Sequence, residues 1–131
     1  MSDLKPAGVA IVINGHEERM LFTLNIVEKA IERYGQLENL LQNLNTGLPE
    51  IKWLATQMIN ECIDIWNDDH PDERRQLLTE QQLGRQIVGV YGINELSDRV
   101  REAIFQGLPE DAVETVDATV KNLMTTRETA T

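Results

Sequence analysis

The first clear pattern lies at residues 8 to 13, Gly-Val-Ala-Ile-Val-Ile, a run rich in β-branched side chains that stops at Asn14-Gly15. Branching at Cβ suits a pleated strand, and Asn-Gly is the strongest short-range hairpin signal. A return strand is expected from about Glu17 to Thr23. Two registers compete. A two-residue Asn14-Gly15 loop sets Ile11 opposite Glu18, whereas a four-residue loop sets Ile11 opposite Met20 and Val9 opposite Phe22; the longer loop is preferred for its apolar pairs.

Helical spacing follows at once. Val27, Ala30, Ile31 and Tyr34 share one face, with Thr23 or Asn25 as N-cap and Gly35 as the stop. If Thr23 caps, Phe22 and Val27 form a hydrophobic staple. A second short helix carries Leu37, Leu40, Leu41 and Leu44 on one stripe and ends at Asn45-Thr46-Gly47. Pro49 opens a third helix, running to about Trp66, with Ile51, Leu54, Met58, Cys62 and Ile65 along one side. Trp53, Ala55, Ile59, Ile63 and Trp66 widen that stripe, so this helix should pack on more than one side and form the centre of the core.

Asn67 to Gln76 reads as a polar loop, and Thr79 with Gln82 makes a capping box for a fourth helix that Gly84 and Gly89 weaken. A fifth helix is expected from about Asn94 to Gln106, with Leu96, Val100, Ala103 and Ile104 inward and Gly107 as its stop. A sixth begins at Pro109 and carries Val113, Val116, Val120 and Leu123. Gly-Leu-Pro-Glu occurs at 47–50 and again at 107–110, each time as a helix stop followed by a helix start. The expected fold is mainly α (α+β), an N-terminal β-hairpin followed by a bundle of about five to six short helices. Residues 8–125 would form one domain, between a flexible N-terminus (1–7) and a flexible tail (126–131).

The hairpin has a further implication. Val9, Ile11 and Ile13 point to one face of the strand and Ala10 and Val12 to the other, and neither face suits water. A lone two-stranded hairpin is marginal and leaves edge groups unpaired, so something must cover it. Its own helices would serve, and so would strand addition or helix docking from a neighbouring subunit.

Composition narrows the function. A chain of 131 residues with 41% apolar and 26% charged side chains can bury a core of one domain without staples. Its formal charge of -10 would repel a phosphate backbone and favours a basic or apolar partner, so nucleic acid is not expected. Cys62 is the single cysteine, which excludes an intrachain disulfide and fits a reducing compartment. The opening Met-Ser-Asp-Leu-Lys-Pro has no signal-peptide pattern and no apolar run approaches bilayer length, so a cytoplasmic protein without a membrane segment is expected.

Candidate chemistry is sparse. Asp68, Asp69, His70, Asp72 and Glu73 offer metal-ligand side chains, but an EF-hand needs a glycine at its sixth position and a bidentate Glu at its twelfth, and neither is present. A solvated interhelical loop is the expectation, with no metal and no other cofactor. His16 beside the turn is expected to be exposed. Cys62 has no histidine at helical spacing to activate it and lies on an apolar stripe, so it reads as packing. Phosphate-loop, zinc and nucleophile-elbow motifs are all missing, and no catalytic residue is assigned.

The order of parts resembles a known family. A hairpin around Ile13-Asn14-Gly15, then Leu21-Phe22-Thr23, a helix ending Arg33-Tyr34-Gly35, a Leu-rich helix, a Trp-bearing central helix and Leu78-Thr79-Glu80-Gln81-Gln82-Leu83-Gly84 resemble the tail assembly chaperones of long-tailed, siphovirus-like bacteriophages, over roughly residues 8 to 125. The resemblance implies a protein of the host bacterial cytoplasm that binds the long, helical tape measure protein and keeps it soluble. Tail-tube subunits would displace it as the tube polymerises, so that the finished virion lacks it. It also implies that this chain is the short form, beside a longer frameshifted form whose extension helps recruit the tail-tube protein.

A client with long apolar stripes is best shielded by grooves between short amphipathic helices, and several copies along it would add avidity. The candidate client or subunit interfaces are therefore Val9, Ile11 and Ile13 on the hairpin, Leu37, Leu40, Leu41 and Leu44 on the second helix, and Val113, Val116, Val120 and Leu123 on the sixth. A homo-oligomer is expected. The alternative is a generic acidic oligomeric adaptor or assembly protein with no phage role.

Overall fold

The computed structural model describes residues 8–44 and 47–107. The expected flexible ends and the sixth helix, with Val113, Val116, Val120 and Leu123, lie outside the described residues. Within them the chain forms a hairpin, β1 (Val9–Ile13) and β2 (His16–Met20), then α1 (Leu24–Tyr34), α2 (Leu37–Asn43), α3 (Leu48–Asp69), α4 (Glu80–Gln86) and α5 (Gly89–Gly107). This is an α+β fold dominated by helix.

The hairpin register corrects the sequence expectation. Ile11 pairs with Glu18 and Val9 with Met20, which makes the loop two residues long. Turn chemistry decides it: Asn14 has φ 52° and Gly15 has φ 78°, the left-handed pair that a type I′ turn requires. The apolar pairs that favoured the longer loop are unnecessary, because the strands obtain their burial from the helices beneath them. The two registers differ by two residues and so preserve which side chains share a face. Val9, Ile11 and Ile13 accordingly all point into the core of their own subunit. Glu18 falls on this inner face opposite Ile11, at its rim, where the Arg75 guanidinium reaches both its oxygens at 2.7 and 3.0 Å.

The chain leaving β2 is pinned to α3 by the Leu21 amide, which donates to the Met58 carbonyl. Thr23 stands at the N-cap of α1, but its hydroxyl makes no cap bond and donates to the Glu61 carboxylate on α3. The buried side of α1 is Ile26 and Ala30, with Val27 and Tyr34 half-buried and Ile31 exposed, a small rotation from the expected face. Gly35 closes the helix, and Asn39 adds a side-chain bond to the Tyr34 carbonyl at 2.8 Å.

As its wide stripe foretold, α3 is central: it packs against β2, α1, α4 and α5. Leu54, Ala55, Met58 and Ile59 are fully enclosed, whereas Ile65 reaches solvent. The helix runs on to Asp69, beyond the expected Trp66, so Asn67 is helical and buried. Trp53 meets Tyr34 edge to face, ring centres 5.7 Å apart, with the Arg33 guanidinium 4.9 Å from its ring.

A polar device that sequence patterning passed over holds the connection between α3 and α4. Asn60 and Asn67 stand two turns apart on α3, and each carboxamide grips one residue of the extended segment that follows. The Asn67 side chain accepts from the Arg75 amide at 2.7 Å and donates to its carbonyl at 2.9 Å. Asn60 does the same to Leu78, at 2.7 and 2.8 Å. The segment thus arrives in register at Thr79, whose reciprocal bonds with Gln82 form the expected capping box of α4.

Candidate functional site

The residues proposed from sequence as a client surface are mostly spent on the core. Val9, Ile11, Ile13, Leu40, Leu41 and Leu44 are buried and Leu37 is half-buried, so in this fold they offer a partner little surface. The physical reason is the one that made them conspicuous: the amphipathic stripes of a short helix and a hairpin are what a domain of this size must bury first.

Exposed apolar surface is found elsewhere. From the end of α4 into the first turn of α5 the chain reads Ile87-Val88-Gly89-Val90-Tyr91-Gly92-Ile93, seven residues without a charged side chain. Val88 is 78% exposed, Val90 74% and Tyr91 83%. Gly89, at φ 79°, takes a left-handed backbone at the start of α5, and this turn carries its large side chains outward. Helix α5 therefore begins five residues before the expected Asn94. Reading Gly89 only as a weakness in the preceding helix hid its role as the first residue of the next one.

Behind this lip the beginnings of α3 and α5 are separated by a groove in two adjoining parts. One, of about 470 Å³, is lined by Leu44, Gly47, Leu48 and Ile51 on one side and by Ile93, Asn94, Ser97, Asp98 and Arg101 on the other. The second, of about 290 Å³, is more apolar and passes between Leu48, Pro49, Ile51 and Lys52 of α3 and Gly84, Ile87, Ile93 and Leu96. Leu48, Ile51 and Ile93 line both. Leu48 is itself half exposed.

Several polar side chains along the groove already have internal partners. The Ser97 hydroxyl donates to the Ile93 carbonyl at 3.0 Å, and Arg101 pairs with Asp98 at 3.5 Å. Among the described residues no buried side-chain nitrogen or oxygen lacks a hydrogen-bond partner. The second part of the groove suits apolar contact, whereas the first presents Asn94, Ser97, Asp98 and Arg101 along its α5 side.

The acidic loop has a different structure from a ligand cluster. Asp68 and Asp69 belong to the last turn of α3, and His70 caps that helix, with Nδ1–H donating to the Trp66 carbonyl at 2.9 Å. Its imidazole stacks on the Trp66 ring, centroids 4.0 Å apart. Among the described residues no three His, Cys, Asp or Glu side chains converge to hold a metal ion. Cys62 is half-buried, and loss of hydration pushes its thiol pKa up, with nearby Arg19 opposing. That direction disfavours the thiolate a nucleophile requires. No helix among the described residues is long and apolar enough to cross a membrane.

Comparison with known protein families, with curated proteins and with solved structures finds no match.

Proposed function

We propose that this chain is a phage tail assembly chaperone of the host bacterial cytoplasm, which binds the tape measure protein, keeps it soluble and helps the tail tube polymerise around it. The observation that carries this reading is the exposed lip of Val88, Val90 and Tyr91 beside the groove between α3 and α5. A row of apolar side chains from a client helix can lie on such a surface, and a formal charge of -10 keeps the chaperone itself dispersed while it does so. The arrangement of hairpin, Leu-rich helix and Trp-bearing central helix supports the same reading through the resemblance described above. Tail-tube protein would join through a longer frameshifted form.

Co-expression with a tape measure protein tests it. The client should move into the soluble fraction and co-purify with this chain, and Val88→Ser, Val90→Ser and Tyr91→Ser together should abolish both effects. A client that stays insoluble beside abundant wild-type chain overturns the reading.

A second reading, an acidic homo-oligomeric adaptor without a phage role, is favoured by the hairpin. Among the described residues its sheet has two strands and so two outer edges, and Val12 on the face away from the core is 67% exposed. Light scattering after size exclusion separates the two: an oligomer lost on Val12→Lys, with no effect on a tape measure client, supports the adaptor.

A further inference from the structure

The lip formed by Val88, Val90 and Tyr91 continues into a charged row on α5. Leu96, Val100, Ala103 and Ile104 turn the inner side of this helix to the core. On the opposite side Tyr91, Glu95 and Asp98 follow one another at four- and three-residue steps, all three exposed, so they stand in one outward row about 10 Å long. An aromatic ring thus lies one turn from a carboxylate, and that carboxylate one turn from the next.

The carboxylates of α5 differ in what already holds them. Glu95 has no ion pair among the described residues. Asp98 meets Arg101 through one oxygen at 3.5 Å, and its side chain stays 74% exposed. A turn further on, Arg99 reaches both oxygens of Glu102, at 3.2 and 3.3 Å, so the open part of the row is Glu95 and Asp98. Of the cations lining the groove, Arg101 is engaged with Asp98, and Lys52 stands on the opposite border, on α3.

We propose that the partner this surface takes is a basic amphipathic helix, with its apolar ridge against Val88, Val90 and Tyr91 and its Lys or Arg side chains over Glu95 and Asp98. The proposal rests on the reading of the lip as a docking surface and adds the partner's chemistry to it, and it does not depend on the partner being a tape measure protein. Charge selects this occupant. A second copy of this chain would bring a formal charge of -10 to a surface of the same sign. An acidic helix would set carboxylates against Glu95 with no cation between them. A basic helix gains at both places: it buries apolar area at the lip, and its cations, spaced three or four residues apart, match the step of the row. Exposed ion pairs contribute little each, so the lip supplies the strength of binding and the row supplies selectivity and speed of encounter.

Two synthetic amphipathic helical peptides with the same Leu ridge, one flanked by Lys and the other by Glu, test the proposal by fluorescence anisotropy with the full chain. At low salt the Lys peptide should bind about tenfold more tightly, as two exposed pairs would give, and the preference should fade as salt rises past physiological strength. Glu95→Gln/Asp98→Asn should remove most of it, whereas Glu28→Gln/Glu32→Gln, which makes the same change of charge on the exposed side of α1, should leave it in place. Equal binding of the two peptides, a preference indifferent to salt, one that survives Glu95→Gln/Asp98→Asn, or one that both double variants weaken alike would overturn the proposal while leaving the lip as a docking surface. Binding of neither peptide, or binding unaltered by Val88→Ser, Val90→Ser and Tyr91→Ser together, would remove the lip reading and the proposal with it.

Discussion

Truncating Asn67 to alanine tests the reading that two asparagines hold the connection between α3 and α4. Asn67 is 3% exposed, and its carboxamide makes one bond to the Arg75 amide and one to the Arg75 carbonyl. Each bond contributes about 1 kcal/mol net, and the backbone groups left behind in a part-buried position cost about 1 kcal/mol more where water cannot replace the side chain. The expected loss is therefore about 2–3 kcal/mol, a large share of the roughly 5–15 kcal/mol that stabilises a typical domain. Asn67→Asp keeps an acceptor for the Arg75 amide but buries a charge and turns a carboxylate oxygen against the Arg75 carbonyl, so near neutral pH it should lose at least as much as alanine. Urea unfolding followed by circular dichroism measures this, as a lower midpoint at an unchanged slope. A loss below about 0.5 kcal/mol for Asn67→Ala, within the range of an ordinary surface substitution, would refute the clamp.

Three further outcomes are expected. Gly15→Val should destabilise by roughly 1–2 kcal/mol through the left-handed backbone alone, since a Cβ there meets nothing within 4 Å; calorimetry reads it as a lower melting temperature. Burial raises the Cys62 pKa, so above the ordinary thiol value near 8.5 the unfolded chain releases its proton before the folded one. Stability should then fall as pH rises from about 8 towards 10, and Cys62→Ser should flatten that decline in urea midpoints. The triple change Val88→Ser, Val90→Ser and Tyr91→Ser should leave stability within about 0.5 kcal/mol per site while lowering binding of the dye ANS, because these side chains stand in solvent already.

The elements were legible where one physical preference dominated. A run rich in β-branched residues that stops at Asn14-Gly15 reads as a hairpin and is one, and Leu96, Val100, Ala103 and Ile104 occupy the inner side of α5 as their spacing predicts. Errors arose where two preferences conflicted. Counting apolar pairs suggested a four-residue loop, but the φ angles available to Asn14 and Gly15 outweigh pair contacts when α3 and α5 supply burial to both strands. Gly89 interrupts the helical pattern, yet a glycine at positive φ is well suited to begin an element. The roles of Asn60 and Asn67 are not legible in the sequence, because a polar residue on an apolar helix declares a need without naming its partner, and here the partner is backbone. The lip had a visible signal, the seven-residue apolar run from Ile87 to Ile93, which follows no helical period and so fitted no template.

The placement of α3 bears on how the molecule comes apart. Its principal neighbours are β2, α1, α4 and α5, and the other main packings join only α1 to α2 and β1 to α5. Subtract this one element and the remainder separates into a helical pair, a hairpin leaning on a single helix, and an isolated two-turn helix, none of them large enough to persist in water. Melting of the described portion should consequently be all-or-none, with far-ultraviolet ellipticity and tryptophan emission tracing the same curve, since both tryptophans sit on that shared member.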